Sequence, residues 1–272
     1  MNVDCFVKFY GEFENKDSRF LVVEYCNGGT LENFILDPDR KIDWKQCVDI
    51  IYQVGVGILF LHMNGLTHRD LKGDNVLIHE GKYKIADFGF SIDQEVMTSV
   101  LGTPLYMATE IIKKDSDHLR NSNKVDVWAL GIILDNLLTK DFPFYAERRL
   151  KLYDKIKRLT FKIPDKLKKK WDGDLQDLMY KCMEKDPKKR PDIEGFLKHP
   201  VFNGVRGKYA FMLDTIQSDV RLTGGRNKAV CSTNSTGRPS SRTSPKWSSR
   251  RFRRRTPSTR TAPRTNAPDA AS

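Results

Sequence analysis

The amino-acid sequence predicts an α+β fold, in which one mainly helical globular region is followed by a basic, disordered tail. Three observations support this prediction. β-like runs are confined to the first 25 residues and to a short region near residue 80, helical periodicity recurs through most of the rest, and apolar periodicity is lost after about residue 219. With 272 residues, of which 39% are hydrophobic, the chain is long enough to bury one sizeable core.

Two β segments are predicted near the start of the sequence. Phe6–Phe13 and Arg19–Tyr25 are rich in apolar and aromatic residues and are joined by a polar turn, which is typical of a hairpin. Two glycines follow the second segment, and Thr30 then stands where its hydroxyl can cap a short helix over Leu31–Ile35.

Helices dominate the sequence that follows. Asp43 is predicted to begin a long helix, because apolar residues recur after it at helical spacing along one face. Between residues 68 and 110 the pattern is irregular, with short β-like runs at Val76–His79 and Tyr83–Ala86. Four further helices are predicted, at Val125–Leu138, Glu147–Leu159, Gly173–Glu184 and Ile193–Lys198.

Charge is distributed unevenly between the globular region and the tail. Residues 221–272 contain 11 Arg and 2 Lys against one acid, a net charge of +12, which equals the formal charge of the whole chain, so residues 1–220 sum to zero. This balance argues against a basic nucleic-acid-binding fold for the whole chain. The tail is rich in Arg, Ser, Thr and Pro and is predicted to remain disordered.

Composition argues against several other classes of protein. No apolar stretch approaches the ~20 residues of a membrane span, and the first residues lack the basic start and apolar core of a signal peptide. The five cysteines form no C-x-x-C pair, so neither a zinc site nor a disulfide framework is predicted. These features favour an intracellular location, cytoplasmic or nuclear.

Two ordered motifs indicate the chemistry. His68–Asn75 reads H-R-D-L-K-G-D-N, which matches H-R-D-L-x-x-x-N, and Asp87-Phe88-Gly89 follows at a short distance. On these motifs the chain resembles the eukaryotic protein kinases of the serine/threonine type. The resemblance implies a protein-kinase-like fold and the transfer of a phosphoryl group from ATP to serine or threonine of protein substrates. It assigns structural roles within the motifs to His68, Arg69, Phe88 and Gly89.

The resemblance also implies a role for each polar residue of the motifs. Asp70 would orient the acceptor hydroxyl and accept its proton, and Lys72 would lie beside the transferred phosphoryl group. Asn75 and Asp87 would hold Mg²⁺ through oxygen atoms, which a hard cation prefers. Any one of these polar residues alone would be read as an ordinary turn or capping residue.

A nucleotide-binding strand is implied by residues 20–26, F-L-V-V-E-Y-C, which resemble the strand that enters the kinase hinge. Backbone groups of Glu24 and Cys26 would meet the adenine edge. Val23 would be the gatekeeper residue behind the base, and Leu77 would pack under it. Without the motifs, these apolar residues would be read simply as core.

Residues further along the chain resemble the end of a kinase activation segment. The match runs from Gly102 and Thr103 to Glu110, with Thr109 where proline is usual. Arg190 would be the buried partner of Glu110, and Asp126 would anchor the backbone of the H-R-D motif.

An activating phosphate is expected between Asp87 and Glu110. Ser99 and its neighbour Thr98 are the candidate sites, which an upstream kinase would modify. Arg69 could clamp the added negative charge and order the segment. The alternative is a loop hydroxyl without a role.

The resemblance divides the chain into three parts. Residues 1–25 would be the last two strands of a kinase small lobe, residues 26–204 the hinge and large lobe, and residues 205–272 the tail. The 272 residues contain neither a G-x-G-x-x-G loop nor a V-A-I-K-type lysine. A truncated small lobe is therefore expected, with little or no turnover by these residues alone.

Two other functions remain open at the level of sequence. The first is a non-catalytic, kinase-like scaffold that binds partners. The second gives the main role to the tail, whose segment Arg250–Arg255 would suit acidic partners or nucleic acid and also resembles a nuclear localisation signal. Solvated disorder is the alternative for that segment.

Overall fold

The computed structural model of the chain describes residues 4–87, 103–113 and 123–218, together with the backbone of residues 92–93. Within these residues helices predominate, and the strands form three separate two-stranded sheets. The predicted α+β class with a mainly helical body is therefore confirmed.

An antiparallel hairpin is the first element. β1 (Phe9–Glu14) pairs with β2 (Arg19–Val23), and the side chains of both strands are largely exposed. The predicted first strand began at Phe6, whereas residues 5–7 pair with a different part of the chain. The Val7 N–H donates to the Ile85 carbonyl at 3.0 Å, so tertiary pairing shortens β1.

Two capped helices follow the hairpin. α1 (Leu31–Leu36) begins after Thr30, whose Oγ1 accepts a first-turn N–H at 3.1 Å. α2 (Trp44–Met63) begins after Asp43, whose Oδ1 accepts a first-turn N–H at 2.8 Å. Both starts agree with the sequence prediction, because an N-cap oxygen satisfies a backbone donor that has no partner inside the helix.

Helix α2 is buried on nearly every side. Ile50, Val56 and Leu59 are buried in addition to the predicted apolar face. Gly57 lets β5 pack directly against α2, since a Cβ at this position would stand 2.7 Å from the Ile85 side chain. By length and composition alone α2 could cross a membrane, but 78% of its most apolar window lies inside the fold, so packing accounts for its apolarity.

Four short strands surround the predicted catalytic motifs. They are β3 (Leu66–Thr67), β4 (Val76–His79), β5 (Lys82–Ile85) and β6 (Ile92–Asp93). β3 pairs with β6 and β4 with β5, all antiparallel. β5 begins one residue earlier than predicted because Lys82 closes the hairpin opposite His79.

The remaining described residues form most of the helical body. The helices are α3 (Thr109–Lys113), α4 (Lys124–Thr139), α5 (Arg149–Arg158), α6 (Asp165–Lys168), α7 (Gly173–Cys182), α8 (Ile193–Leu197) and α9 (residues 210–218). The four helices predicted here from periodicity are present, with ends shifted by one or two residues. α4 is the central helix and packs against α2 and α7.

Residues after position 204 also pack against the body, although the sequence placed the start of the tail at 205. The Tyr209 ring lies 5.4 Å from the Tyr52 ring, and its hydroxyl donates to Asp49 at 2.8 Å. Ile216 on α9 is fully buried. These two apolar anchors explain why packed helical structure continues to residue 218. The predicted disordered segment beyond residue 219 lies outside the described residues.

Candidate active site

A single buried carboxylate holds the backbone of the H-R-D motif. Asp126, on the first turn of α4, accepts the N–H groups of His68 and Arg69, each at 2.9 Å. Its Oδ2 also contacts the His62 Nε2 at 2.9 Å. Arg69 has a φ of +70°, a conformation that a residue with a side chain keeps only when its surroundings impose it.

The Asp126 carboxylate is held in its charged form. Burial alone would raise its pKa, but the hydrogen bond and charge of His62, together with the backbone donors, hold the pKa below its ordinary value. The sequence predicted the anchoring role of Asp126 and missed His62. The available signal was a polar residue in the last turn of α2, directly after the apolar run of residues 54–61.

Asp70 and Lys72 form a pair that already binds a hydroxyl group. The Lys72 Nζ donates to the Asp70 Oδ2 and to the Thr103 Oγ1, both at 2.9 Å. The Thr103 hydroxyl donates to the Asp70 Oδ1 at 2.9 Å, and the Thr103 N–H reaches the same oxygen at 2.9 Å. A carboxylate and an ammonium therefore contact one hydroxyl, which is an arrangement that can orient an alcohol and neutralise nearby negative charge.

Asn75 is oriented by hydrogen bonds to Asp70 of the H-R-D motif. Its side-chain Nδ2 donates to the Asp70 backbone oxygen at 2.8 Å and to the Asp70 Oδ2 at 3.3 Å. The Asn75 backbone oxygen accepts the Ala86 N–H at 2.8 Å, which brings the next residue, Asp87, to the same region. Because the amide nitrogen is occupied, the amide oxygen is the atom available to a cation.

Asp87 is exposed and has a φ of +59°, so its backbone is constrained as that of Arg69 is. Among the described residues no three His, Cys, Asp or Glu side chains cluster as a complete metal site. Mg²⁺ needs no such cluster, since it commonly binds one or two protein oxygen ligands, water and substrate phosphates. The donor set of Asn75 and Asp87 fits that ion.

The predicted nucleotide-binding residues lie around the end of β2. Val23 is 49% exposed, and Cys26 and Leu77 are partly buried. The Glu24 N–H donates to the Lys8 carbonyl at 2.8 Å, so the Glu24 carbonyl is the backbone group left for a ligand. Leu77 is attached to this region by a bridge with Thr30.

The Glu24 side chain has a structural partner that the sequence did not predict. Lys84, which is 1% exposed, contacts both Glu24 carboxylate oxygens at 2.7 and 2.9 Å and the Asp4 Oδ1 at 2.7 Å. Burial would lower the pKa of Lys84, but the two carboxylates hold it above its ordinary value. A lysine inside an apolar β-like run was the signal for such a partner.

The end of the activation segment is joined to the helical body by an ion pair. The Arg190 Nη1 and Nη2 contact the two Glu110 oxygens at 2.7 and 3.0 Å. Burial would raise the pKa of Glu110, but Arg190 holds it below its ordinary value. Thr109 occupies the usual proline position, and its hydroxyl donates to the Lys185 carbonyl at 2.8 Å and to the Glu110 Oε2 at 3.2 Å.

The structure thus brings Asp70, Lys72, Asn75 and Thr103 together, with His68, Arg69 and Asp126 beneath them. Glu110 and Arg190 form a buried ion pair, and the Glu24 side chain forms an ion pair with Lys84. The predicted positions Phe88, Gly89, Thr98 and Ser99 lie outside the described residues.

Known proteins share this sequence pattern. Residues 1–202 match the family described as protein kinase domain. Serine/threonine-protein kinase 4 homolog B of Dictyostelium discoideum is 29% identical over 238 residues, which cover 82% of this chain and 20% of that protein. Serine/threonine-protein kinase cds1 of Schizosaccharomyces pombe is 33% identical over 197 residues, which cover 70% of this chain and 43% of that protein. The chain therefore spans less than half the length of either relative.

Proposed function

The chain belongs to the protein kinase family, and from this membership we propose that it transfers the terminal phosphoryl group of ATP to serine or threonine hydroxyls of protein substrates. The observation that carries the proposal is that Asp70 and Lys72 both contact a single hydroxyl, that of Thr103. The relatives named as serine/threonine kinases support the same acceptor chemistry.

In the proposed reaction, Asp70 orients the acceptor hydroxyl and takes its proton as the new O–P bond forms. The bond between the γ-phosphorus and the β–γ bridging oxygen breaks, and ADP leaves. Lys72 lies beside the transferred group and stabilises its negative charge. Thr103 holds Asp70 and Lys72 in register through its hydroxyl.

Two residues are proposed to hold the cation. ATP would supply the reactive phosphoryl group, and Mg²⁺ would neutralise the phosphate oxygens. The Asn75 amide and the Asp87 carboxylate both offer the oxygen ligands that Mg²⁺ prefers. A backbone hydrogen bond between Ala86 and Asn75 holds their two segments together.

The nucleotide base is proposed to lie against the segment that follows β2. The Glu24 carbonyl and the Cys26 N–H would form its hydrogen bonds, with Val23 and Leu77 as apolar contacts. The anchoring of Glu24 by Lys84 supports this proposal, because a fixed backbone gives a fixed hydrogen-bonding edge.

Regulation and partners follow from the same assignment. An upstream kinase would phosphorylate Ser99 or Thr98 and thereby order the segment. A double Thr98→Ala and Ser99→Ala variant with unchanged activity would exclude this regulation.

The tail, with its charge of +12, would bind acidic partners or nucleic acid at a cytoplasmic or nuclear location.

The decisive experiment measures ATP-dependent phosphorylation of a general protein substrate by the 272-residue chain joined to a kinase small-lobe segment that supplies a Gly-rich loop and its lysine, because little or no turnover is expected of the 272 residues alone. Asp70→Asn and Asp87→Asn should each lower the rate by about 100-fold or more, because both groups act electrostatically on the transferred phosphoryl. Asp17→Asn is the matched control, since Asp17 lies exposed in the turn between β1 and β2. Binding of a fluorescent ATP analogue is measured in parallel.

Two results would contradict the proposal. Equal rates in Asp70→Asn and in the unmodified chain would remove Asp70 from the reaction. Absence of transfer by the joined chain, with its Asp87→Asn variant indistinguishable from it in nucleotide binding, would instead favour the non-catalytic scaffold.

A further inference from the structure

A contact between α1 and the residues that follow Thr103 lies beside the proposed acceptor site. The Tyr106 hydroxyl donates to the Glu32 Oε2 at 3.3 Å. Glu32 lies in the first turn of α1, whereas Tyr106 ends a short 3₁₀ turn that begins directly after Thr103. The two residues are 74 positions apart in the sequence, and neither has a role in the reaction proposed above.

The segment that carries Lys72 takes part in the same contact. Gly73 follows Lys72 directly, and a backbone hydrogen bond joins Gly73 to the Tyr106 hydroxyl. A Cβ at Gly73 would collide with the Glu32 carboxylate and would stand 3.1 Å from the Glu32 Cα. The absence of a side chain at position 73 therefore lets α1 lie close enough for Glu32 to reach the Tyr106 hydroxyl.

Electrostatics make Tyr106 the donor and Glu32 the acceptor of this hydrogen bond. Burial, together with the Glu32 charge, raises the pKa of Tyr106, so its hydroxyl keeps its proton. Burial and the nearby Asp74 also raise the pKa of Glu32, and the hydrogen bond from Tyr106 acts against that rise. The hydroxyl thus favours the charged form of a half-buried carboxylate. Hydrogen bonds to a charged group are the stronger class.

Tyr106 is connected to the acceptor site through one further hydrogen bond. Its backbone N–H donates to the Thr103 carbonyl at 3.0 Å. Thr103 contacts Asp70 through both its N–H and its hydroxyl, and the same hydroxyl accepts a hydrogen bond from Lys72. A shift of Tyr106 would therefore move the residue that holds Asp70 and Lys72 in register.

We propose that Glu32 is a positioning residue for phosphoryl transfer, an inference that rests on the function proposed above. Its carboxylate fixes the Tyr106 hydroxyl, and Tyr106 in turn fixes Thr103. The contribution of Glu32 is to the geometry of the acceptor site, whereas the nucleotide is bound by other residues. A displaced Asp70 lowers the rate of transfer, because a proton acceptor acts only within hydrogen-bonding distance of the hydroxyl.

Other contacts hold both partners in the fold. Leu31 and Ile35 of α1 are buried, and Thr30 caps the first turn of the helix. The Tyr106 ring packs edge-on against the Phe142 ring, with the centroids 5.6 Å apart. Loss of the Tyr106 hydroxyl alone should therefore leave both elements folded, so an effect on the rate can be separated from an effect on stability.

The test measures the steady-state kinetics of transfer by the 272-residue chain joined to the small-lobe segment. Tyr106→Phe and Glu32→Ala should each lower kcat by about tenfold and leave the KM for ATP nearly unchanged. Glu32→Gln keeps an oxygen that can accept the hydroxyl, so its kcat should lie above that of Glu32→Ala. Asn33→Ala is the matched control, because Asn33 is the exposed polar neighbour of Glu32 on α1.

The double variant Glu32→Ala, Tyr106→Phe tests whether the two groups act together. If they act through one hydrogen bond, the double variant should lose about tenfold in kcat, as each single variant does, and not about a hundredfold. Thermal unfolding of the same variants in the 272-residue chain is measured in parallel. Tyr106→Phe should keep nearly the midpoint of the unmodified chain, so it remains informative if Glu32→Ala is destabilised.

The outcomes separate this inference from the proposed function. If the joined chain transfers phosphate and Tyr106→Phe keeps the full kcat, the inference alone is overturned. Losses that multiply in the double variant, or a loss in Asn33→Ala as large as that in Glu32→Ala, would overturn it in the same way. Absence of transfer by the unmodified joined chain would overturn the proposed function and the positioning role together.

Discussion

Arg190 connects three segments that are distant in sequence. Its guanidinium contacts Glu110, the carbonyls of Glu184 and Lys124, and the face of the Trp128 ring at 5.0 Å from the centroid. It is 1% exposed, so every one of these contacts is shielded from water. The resemblance to kinases predicted the Glu110 contact, while the contacts with the Lys124 carbonyl and the Trp128 ring depend on the packing of α4 and could not be read from the sequence.

Replacing Arg190 by methionine should lower the free energy of unfolding by about 3–5 kcal/mol, because Glu110 would remain buried without its counter-charge. Denaturant titration measures this loss. The double variant Arg190→Met, Glu110→Gln serves as the control and should recover part of the loss. If the double variant is as unstable as Arg190→Met alone, the Glu110 charge is not the cause.

A second buried acid predicts a pH dependence of stability. Burial, with a contribution from Asp141, raises the pKa of Asp135 to about 7, from an ordinary value of 3.8. Between these two values the folded chain retains a proton that the unfolded chain has lost, so stability falls as the pH rises through that window. Each pH unit of the window costs about 1.4 kcal/mol.

Asp135→Asn should therefore raise the free energy of unfolding at pH 8 by at least about 1 kcal/mol and should have little effect at pH 4. Denaturant titrations of variant and unmodified chain across pH 4–8 give the difference curve. A difference that does not change with pH would show that Asp135 titrates normally.

At the scale of elements, the contact between α4 and α7 depends on one glycine. A Cβ at Gly131 would stand 2.6 Å from the Cys182 Cβ, a distance that requires the helices to move apart. Gly131→Ala should lower the free energy of unfolding by about 1–3 kcal/mol, although alanine favours a helix more than glycine does.

Gly173→Ala at the start of α7 is the matched control, because nothing lies within 4 Å of a Cβ at that position. It should be neutral or stabilising by up to about 1 kcal/mol. Thermal unfolding of both variants reports the sign directly. The same sign for both would mean that helix propensity, and not the α4–α7 contact, decides the effect.

Capping residues in the sequence predicted the starts of helices correctly, whereas strand pairing and helix burial, which depend on distant segments, were predicted less well. Thr30 and Asp43 identified two helix starts, because capping is a local hydrogen bond. The start of β1 was wrong by three residues, since Val7 pairs with β5, which is far away in sequence. The sequence predicted that one face of α2 is buried, whereas the structure buries nearly all of it. A helix that is surrounded by neighbours is apolar on all sides, so its sequence has no helical periodicity that would indicate the other buried faces.

At the scale of the whole molecule, residues 206–218 belong to the packed body. A chain that ends at residue 204 should be less stable than one that ends at residue 218 by about 3 kcal/mol or more, because it loses the buried side chains of Tyr209 and Ile216. Denaturant titration of the two chains measures the difference. Equal midpoints would place the boundary at 204, as the sequence suggested.

The proposed catalytic site could be located from the sequence because its motifs lie close together along the chain. The groups that hold the site residues in place could not be predicted. His62, Lys84 and the Lys185 carbonyl contact their partners from segments that are distant in the sequence.

The attachment of the H-R-D loop to Asp126 has a consequence for amide hydrogen–deuterium exchange. The His68 and Arg69 amides lie in a loop, but their acceptor is a carboxylate on α4, whose residues from 125 to 137 are all buried. These two amide protons should exchange at the slow rate of the central helix instead of the fast rate of a loop. Exchange detected by NMR would then report the opening of the interior at two backbone positions beside the proposed reaction site.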